Sequence, residues 1–453
     1  MRIFNTILFT FLFMSLSMAQ VSSVTPFSSQ GVGDVSFYGD AYFMGMGGVT
    51  APLIDSSQTN LYNPSSYSFL GQGLPLFSMG IAHQESTFRQ GEISAQDRFT
   101  SITHMSLTIP FGNRFGMAFG LKPFSRAGYE INNSQVLPNN DSIFYDYTGK
   151  GEIQEFLFGF SIIMVKRLNH QLGIGGNVKR YFGRIETQRR AYFVNNFSES
   201  GALEDGFLRA RDFGYDLGFT YRYSPSSKHV LTLAGSYQVG GDIQMERTRT
   251  ALYFGEFGNT SSYDTVSPST RYNGTVVLPE NLKLGFAYEY KASKDTSARR
   301  RGRLPSFLIA GEYSSAPWSI YNESFDNFVS PTFSFFDSQS YRAGMQYIPH
   351  RDPAERSAYI KSFQKWSYRA GVFAVATPNM SNNEQVMNFG TSIGIGIPIV
   401  LNRAVSTINL SGTYGQQGAR AGAGSLSENY FGFNFGVNIA PSYDKWFRKQ
   451  ELY

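Results

Sequence analysis

The chain has 453 residues and no cysteine, which excludes disulfides, thiol catalysis, zinc–thiolate sites and iron–sulfur clusters. Its net charge of +5 comes without a dense basic tract, so nucleic acid is not an expected partner. Only 16% of residues are charged, against about a quarter in soluble domains, while 46 Gly, 41 Phe and 28 Tyr point to a β-rich chain with large apolar faces.

Met1-Arg2, an apolar run over residues 3–16 and Ser17-Met18-Ala19 before Gln20 form the three parts of a secretory signal. The run is too short to span a membrane and has no positive flank on its far side, so cleavage is expected after Ala19. No cysteine follows the cut, which excludes a lipoprotein anchor. Beyond residue 20 no apolar run is long enough for a membrane helix.

Residues 20–72 do not alternate in polarity. They contain Gly31-Val32-Gly33-Asp34, then Tyr42-Phe43-Met44-Gly45-Met46-Gly47-Gly48-Val49, then Asn60-Leu61-Tyr62-Asn63-Pro64-Ser65. So many aromatic and aliphatic residues fit a packed plug better than a disordered tail. The glycine blocks at 45–48 and 173–176 lack the strand–turn–helix setting of a dinucleotide loop. Asn63-Pro64-Ser65 is expected to be a rigid kinked turn, because Pro64 fixes its own φ and Asn63 can bond the backbone beyond it.

From residue 73 to 440 the pattern becomes one of membrane strands, apolar on alternate positions over about ten residues. The clearest is 213–223, where Phe213, Tyr215, Leu217, Phe219, Tyr221 and Tyr223 alternate with Gly214, Asp216, Gly218, Thr220 and Arg222. Similar runs surround Phe119, Phe158, Phe286, Ile393 and Phe433, and weaker ones lie near 75–87, 99–110, 172–189, 230–248, 304–315, 339–348, 366–377 and 405–415. The fold class is therefore all-β, a transmembrane antiparallel β-barrel of about fourteen strands around an N-terminal plug, in the cell outer membrane.

Short turns at 110–114, 167–170, 224–227 and 400–403 alternate with long polar segments near 124–151, 190–208, 249–279 and 317–338, which read as extracellular loops. Two turns on the short side are longer: a basic one at 293–303 and one at 349–364, where Asp352-Pro353-Ala354-Glu355 suggests a helix start. Parity points Leu217 and Phe286 at lipid, so charge there is costly and changes at Gly218 or Ala287 are expected to be mild. Parity also turns Lys122, Asp216, Arg222, Lys283, Glu289, Glu312, Arg342 and Arg369 inward, a salt-bridged lumen that pins the plug.

Residues 441–453 read as a periplasmic tail whose Trp446 and Phe447 anchor at the membrane interface. His83, His104, His170, His229 and His350 have no ligand-like spacing and offer no Ser/His or acid/His constellation, so neither a metal, a cofactor nor an enzyme is expected.

The "MGMGG" block at 44–48, Asp55 and Asn63-Pro64-Ser65 before the first strand resemble the long-chain fatty-acid transporter (FadL) family. Leu107-Thr108-Ile109-Pro110, Leu121-Lys122-Pro123-Phe124-Ser125, Val277-Leu278-Pro279-Glu280, Glu428-Asn429-Tyr430-Phe431 and Asp444-Lys445-Trp446-Phe447-Arg448-Lys449 are similar to its members from Bacteroidota. The resemblance implies fourteen strands and an N-terminal hatch, with Asn63-Pro64-Ser65 standing where the family has Asn-Pro-Ala. It implies passive, hatch-gated passage of a hydrophobic ligand. It also allows a second role, a non-transporting subunit of a Bacteroidota envelope complex for outer-membrane assembly or protein secretion. Outer-membrane lipid is a partner in either case. Export is expected to remove residues 1–19, and N-terminal sequencing of the mature protein should begin at Gln20.

Overall fold

The computed structural model describes residues 25–35, 39–70, 75–138, 142–193, 201–254, 263–292, 304–330, 332–355, 360–401, 404–419 and 425–441. The signal at 1–19, the basic turn at 293–303 and the tail residues Trp446 and Phe447 lie outside them. Strands β1 (Leu76–Gln90), β2 (Ile93–Phe111), β3 (Phe115–Val136), β4 (Ser142–Lys166) and β5 (His170–Phe193) open the wall. Then follow β6 (Gly201–Ala210), β7 (Phe213–Ser226), β8 (His229–Gln238), β9 (Gly241–Phe254), β10 (Tyr263–Leu278), β11 (Asn281–Lys291) and β12 (Ser306–Ala316). The last are β13 (Asn322–Phe325), β14 (Ser338–Ile348), β15 (Ser367–Ser381), β16 (Glu384–Leu401), β17 (Ala404–Gly418) and β18 (Ser427–Ile439).

Fourteen of these close a ring, β1-β2-β3-β4-β5-β7-β8-β11-β12-β14-β15-β16-β17-β18, and β18 pairs back onto β1 from Phe77↔Ile439 to Arg89↔Ser427. Closure removes every exposed sheet edge at the last junction, the condition under which strands tolerate lipid. Alternation works as expected on the outer wall. Leu217 is 57% exposed and Phe286 54%, while Thr220 and Ala287 beside them on the strands are buried.

Three of the long polar segments, near 124–151, 190–208 and 249–279, are largely strand where they are described, whereas 317–338 is mostly irregular and holds the short β13. β3 and β4 pair all the way to Val136↔Ser142, and β5 continues to Phe193. β6, β9, β10 and β13 add a sheet above the ring, β6 pairing the outer part of β5 and β9, and β10 joining β9 to β13. These stretches look like loops in sequence because a strand beyond the bilayer has no lipid to alternate against, whereas its backbone pairing needs no apolar side chain. Inside this outer end sits the largest apolar core, including Val32, Ile153, Tyr181, Leu208, Trp318 and Phe325. At the opposite end the expected helix at Asp352 is instead an Asx turn, Ala354 N donating to Asp352 Oδ1 at 3.1 Å, and the described helical turn comes only at Ser362–Lys365. His350 is fully buried there, accepting from Leu304 N at 3.2 Å and facing Glu355 at 3.2 Å.

Leu217→Arg or Phe286→Arg is expected to cost about 2–4 kcal/mol near the midplane, measured by urea titration in lipid vesicles. The mild control expected at Gly218 is corrected by packing: a Cβ there would sit 2.8 Å from Pro64 Cδ, so Gly218→Ser should also destabilise. Ala287 is also buried, in one apolar cluster with Tyr42 and Phe43.

Candidate functional site

Residues 25–35 and 39–70 lie against the inner faces of the strands. Three local devices give them shape: the helical turn Ala41–Met44 capped by Asp40, the turn Pro64–Phe69 capped by Asn63, and Gly47 at φ +70. Asn63 Oδ1 accepts from Ser65 N at 3.1 Å and Ser65 Oγ at 2.7 Å, the kinked turn expected from its sequence. The turn is also tied outward. Asn63 Nδ2 donates to Ala51 O at 2.8 Å and Thr220 Oγ1 at 3.1 Å, and Ser65 Oγ meets Thr220 Oγ1 at 2.7 Å.

Wall glycines make room for this approach. A Cβ at Gly175 would lie 2.6 Å from the carbonyl carbon of Pro64, and one at Gly344 would lie 2.9 Å from the carbonyl carbon of Met46. Backbone here packs on backbone, a use of glycine unrelated to nucleotide binding.

Polar fasteners surround the segment. Glu312, fully buried on β12, accepts from Thr50 N at 2.7 Å, Thr50 Oγ1 at 2.9 Å and Ala51 N at 2.6 Å, and pairs with Arg342 at 3.5 Å. Arg369 on β15 lies 4.3 Å over the Tyr42 ring and donates to Gln346, Asn409 and Ser367. Gln58 bonds Thr407 at 2.7 Å and accepts from Asn409 and Asn438. His104 lies 3.8 Å from Asp40. Tyr67 OH donates to Asn177 Oδ1 at 3.0 Å, and burial holds its phenol above the ordinary range, so it stays a neutral donor.

Lys122, Glu155, Lys179 and Asp216 form a ladder across β3, β4, β5 and β7. Lys122 pairs with Glu155, and Lys179 bridges Glu155 at 3.3 Å and Asp216 at 2.7 Å. With Lys283 and Arg342 these residues line a cavity of about 210 Å³. That is small beside typical ligand pockets of about 300–1,000 Å³, and its lining mixes these charges with apolar residues such as Leu61, Phe124 and Trp318. The inward charges expected from parity are thus where alternation puts them: Arg222 reaches the Phe69 ring, Lys283 the Tyr62 ring and Glu289 accepts from Ser306.

One feature of the wall escapes alternation. β2 pairs β3 only from Phe111↔Phe115 to Met105↔Leu121. Register shifts follow at once, past Gly80↔His104 on the β1 side and between Pro123 and Ser125 on the β4 side. Above them the N-terminal segment stands in for β2. Asp34 and Arg126 exchange backbone bonds of 2.6 and 2.9 Å, Thr25 N donates to Gly128 O at 2.8 Å, and Gly128 N donates to Ser28 Oγ at 3.0 Å. Arg126 Nη2 reaches across to Ile102 O of β2 at 3.1 Å. Bulges divert strands in this way, and an edge so exposed needs a cover.

The model of the BamG family matches residues 2–452. The chain belongs to the BamG family. No curated protein matches it in sequence. In fold, this BamG-family chain resembles a FadL homologue from Pseudomonas aeruginosa, at 12% identity and a TM-score of 0.56, over 89% of this chain and 98% of that one. It also resembles the toluene transporters TodX of P. putida (14% identity, TM-score 0.55, 90% and 99% covered) and TbuX of Ralstonia pickettii (13%, 0.53, 90% and 99%). The BamG-family chain thus has a closed, fourteen-strand antiparallel β-barrel fold like that of these channels.

Among the residues singled out in the sequence, Asn63, Pro64 and Ser65 come together at Thr220, whereas Trp446 and Phe447 lie outside the described residues. Sequence reasoning missed Asp40, a lone acid beside the apolar, glycine-rich block, and Gln58, which the polar run 55–60 does not set apart from its neighbours. Glu312→Ala should cost about 3 kcal/mol, because it removes the carboxylate that pairs with Arg342 and accepts from two backbone amides. It should also speed limited proteolysis within residues 39–70, whereas Tyr67→Phe should cost only about 1 kcal/mol.

Proposed function

We propose that this barrel is a closed, non-conducting subunit of an envelope protein complex, of the assembly or secretion kind implied by the resemblance to Bacteroidota proteins. In this reading residues 20–72 are a plug that holds the barrel shut, residues 73–440 are the barrel and residues 441–453 are a periplasmic tail. The observation that carries it is the fastening of the N-terminal segment. It is bonded to wall strands on all sides and supplies the backbone partner that β3 lacks above Leu121. A movable gate needs bonds that open at low cost, whereas each buried charged tie here leaves a charge stranded when it breaks. The cavity is small for a ligand pocket and carries charged side chains in its lining, and membership of the BamG family supports the subunit reading.

A second reading keeps hatch-gated passage of a hydrophobic molecule, favoured by the fold likeness to a FadL homologue and to toluene transporters. In it Asn63-Pro64-Ser65 is the gate. The two readings differ in what Asn63→Ala with Pro64→Ala does at matched barrel levels in the native host. As a subunit, the variant should leave uptake of labelled fatty acid and toluene at the level of the unaltered protein. Mild-detergent purification should recover stoichiometric partners with the unaltered protein and fewer with the variant. Changed uptake with a full set of partners, or no partner in either preparation, would return the weight to transport.

A further inference from the structure

Four arginines meet on the outer surface of the wall where the added sheet leaves the ring. Short turns end the ring on one side and the added sheet on the other, the arrangement in which the sheet side faces the exterior. On β5 the outward, apolar series Ile174, Val178 and Phe182 ends at Arg184; on β7 the series Phe219, Leu217, Tyr215 and Phe213 ends at Arg211. Arg184 and Arg209 are direct partners across β5 and β6, so their side chains share this face. Arg180, two pleat repeats lower, lies 4.6 Å over the ring of Phe213, its direct partner on β7. Arg184 and Arg209 both lie over the Phe207 ring, at 5.6 and 5.1 Å.

The junction that aims them is built by Asp212. Its carboxylate accepts from Phe213 N at 2.7 Å and Gln244 N at 2.8 Å, and its carbonyl accepts from Tyr181 N at 2.8 Å. That leaves Asp212 committed to backbone. Glu152, opposite Arg184, turns to Arg126 at 3.4 Å. The four guanidiniums therefore share two carboxylates: Glu186 with Arg184 at 2.5 Å, and Glu246 with Arg209 at 3.7 Å and Arg211 at 3.5 Å. Lys150 adds a further cation, 3.5 Å from Glu186. Arg184 and Arg211 keep about half of their side-chain surface open.

We propose that this arginine cluster binds the phosphate groups of a phosphorylated glycolipid in the outer leaflet. Guanidinium forks match phosphate oxygens in pairs, acyl chains beside the headgroup would lie along Val178, Phe182 and Phe213, and the surplus of positive charge sits at headgroup depth. Two carboxylates offset two of the four guanidinium charges, since Arg209 and Arg211 share Glu246.

The test uses the full-length protein, purified in mild detergent and probed by native mass spectrometry with bisphosphorylated lipid A, with its dephosphorylated form and with inorganic phosphate. Arg180→Gln with Arg184→Gln leaves the Glu246 pairs in place, and Arg211→Gln is the second variant. Heat-modifiable migration checks that each barrel is folded. Lipid A should bind the unaltered protein and bind the double variant about tenfold more weakly, the loss of a charge-assisted bond of about 1.4 kcal/mol. The dephosphorylated lipid should bind poorly to all three. Equal binding to folded variants, equal binding of the dephosphorylated lipid, or occupancy by inorganic phosphate as strong as by lipid A would each overturn the proposal.

Discussion

A strand in lipid cannot leave its backbone groups unpaired, and nearly everything in this molecule follows from that constraint. The ring closes because an open edge in hydrocarbon would leave several N–H and C=O groups without partners. Closing fourteen strands creates an interior too wide for wall side chains to fill alone. The N-terminal segment occupies it, and the wall glycines at 175 and 218 are the counterpart of that filling. The same constraint explains the seam. Where β2 and β3 part above Met105↔Leu121, Thr25 and Asp34 complete the pairing of Gly128 and Arg126.

The lumen carries charge because its alternatives are worse. A wholly apolar interior would make the wall two-sided in hydrophobicity and erase the distinction between lipid face and lumen face. Charged groups at alternate positions preserve it, provided each finds a partner. Lys122, Glu155, Lys179 and Asp216 satisfy one another along a row of neighbouring strands, and Glu312 satisfies backbone amides of the segment as well as Arg342. These ties are what a closed subunit needs and what a frequently opened gate would have to break.

The outer end extends the same logic beyond the bilayer. Once β3, β4 and β5 leave lipid they keep pairing, and β6, β9, β10 and β13 widen them into a sheet over an apolar core around Trp318. The place where this sheet departs, Arg211-Asp212, is also where apolar side chains give way to arginine on the outer surface. One backbone junction therefore sets both the architecture of the exterior and the charge presented to the lipid headgroups.

The sequence by itself determined the strand count, the outward and inward faces and the turn at Asn63-Pro64-Ser65, because period-two alternation and proline geometry are local and survive without knowing what packs where. Leu217 faces out and Arg369 faces in for reasons visible within ten residues of each. It did not determine the polar strands beyond the membrane, since they have no lipid face to alternate against and pairing between backbones leaves no periodic trace in side chains. Nor did it determine the partners of Asp40, Gln58 and Glu312, or the seam at β2 and β3. Those contacts join residues from tens to hundreds of positions apart, and only the closed ring brings them together.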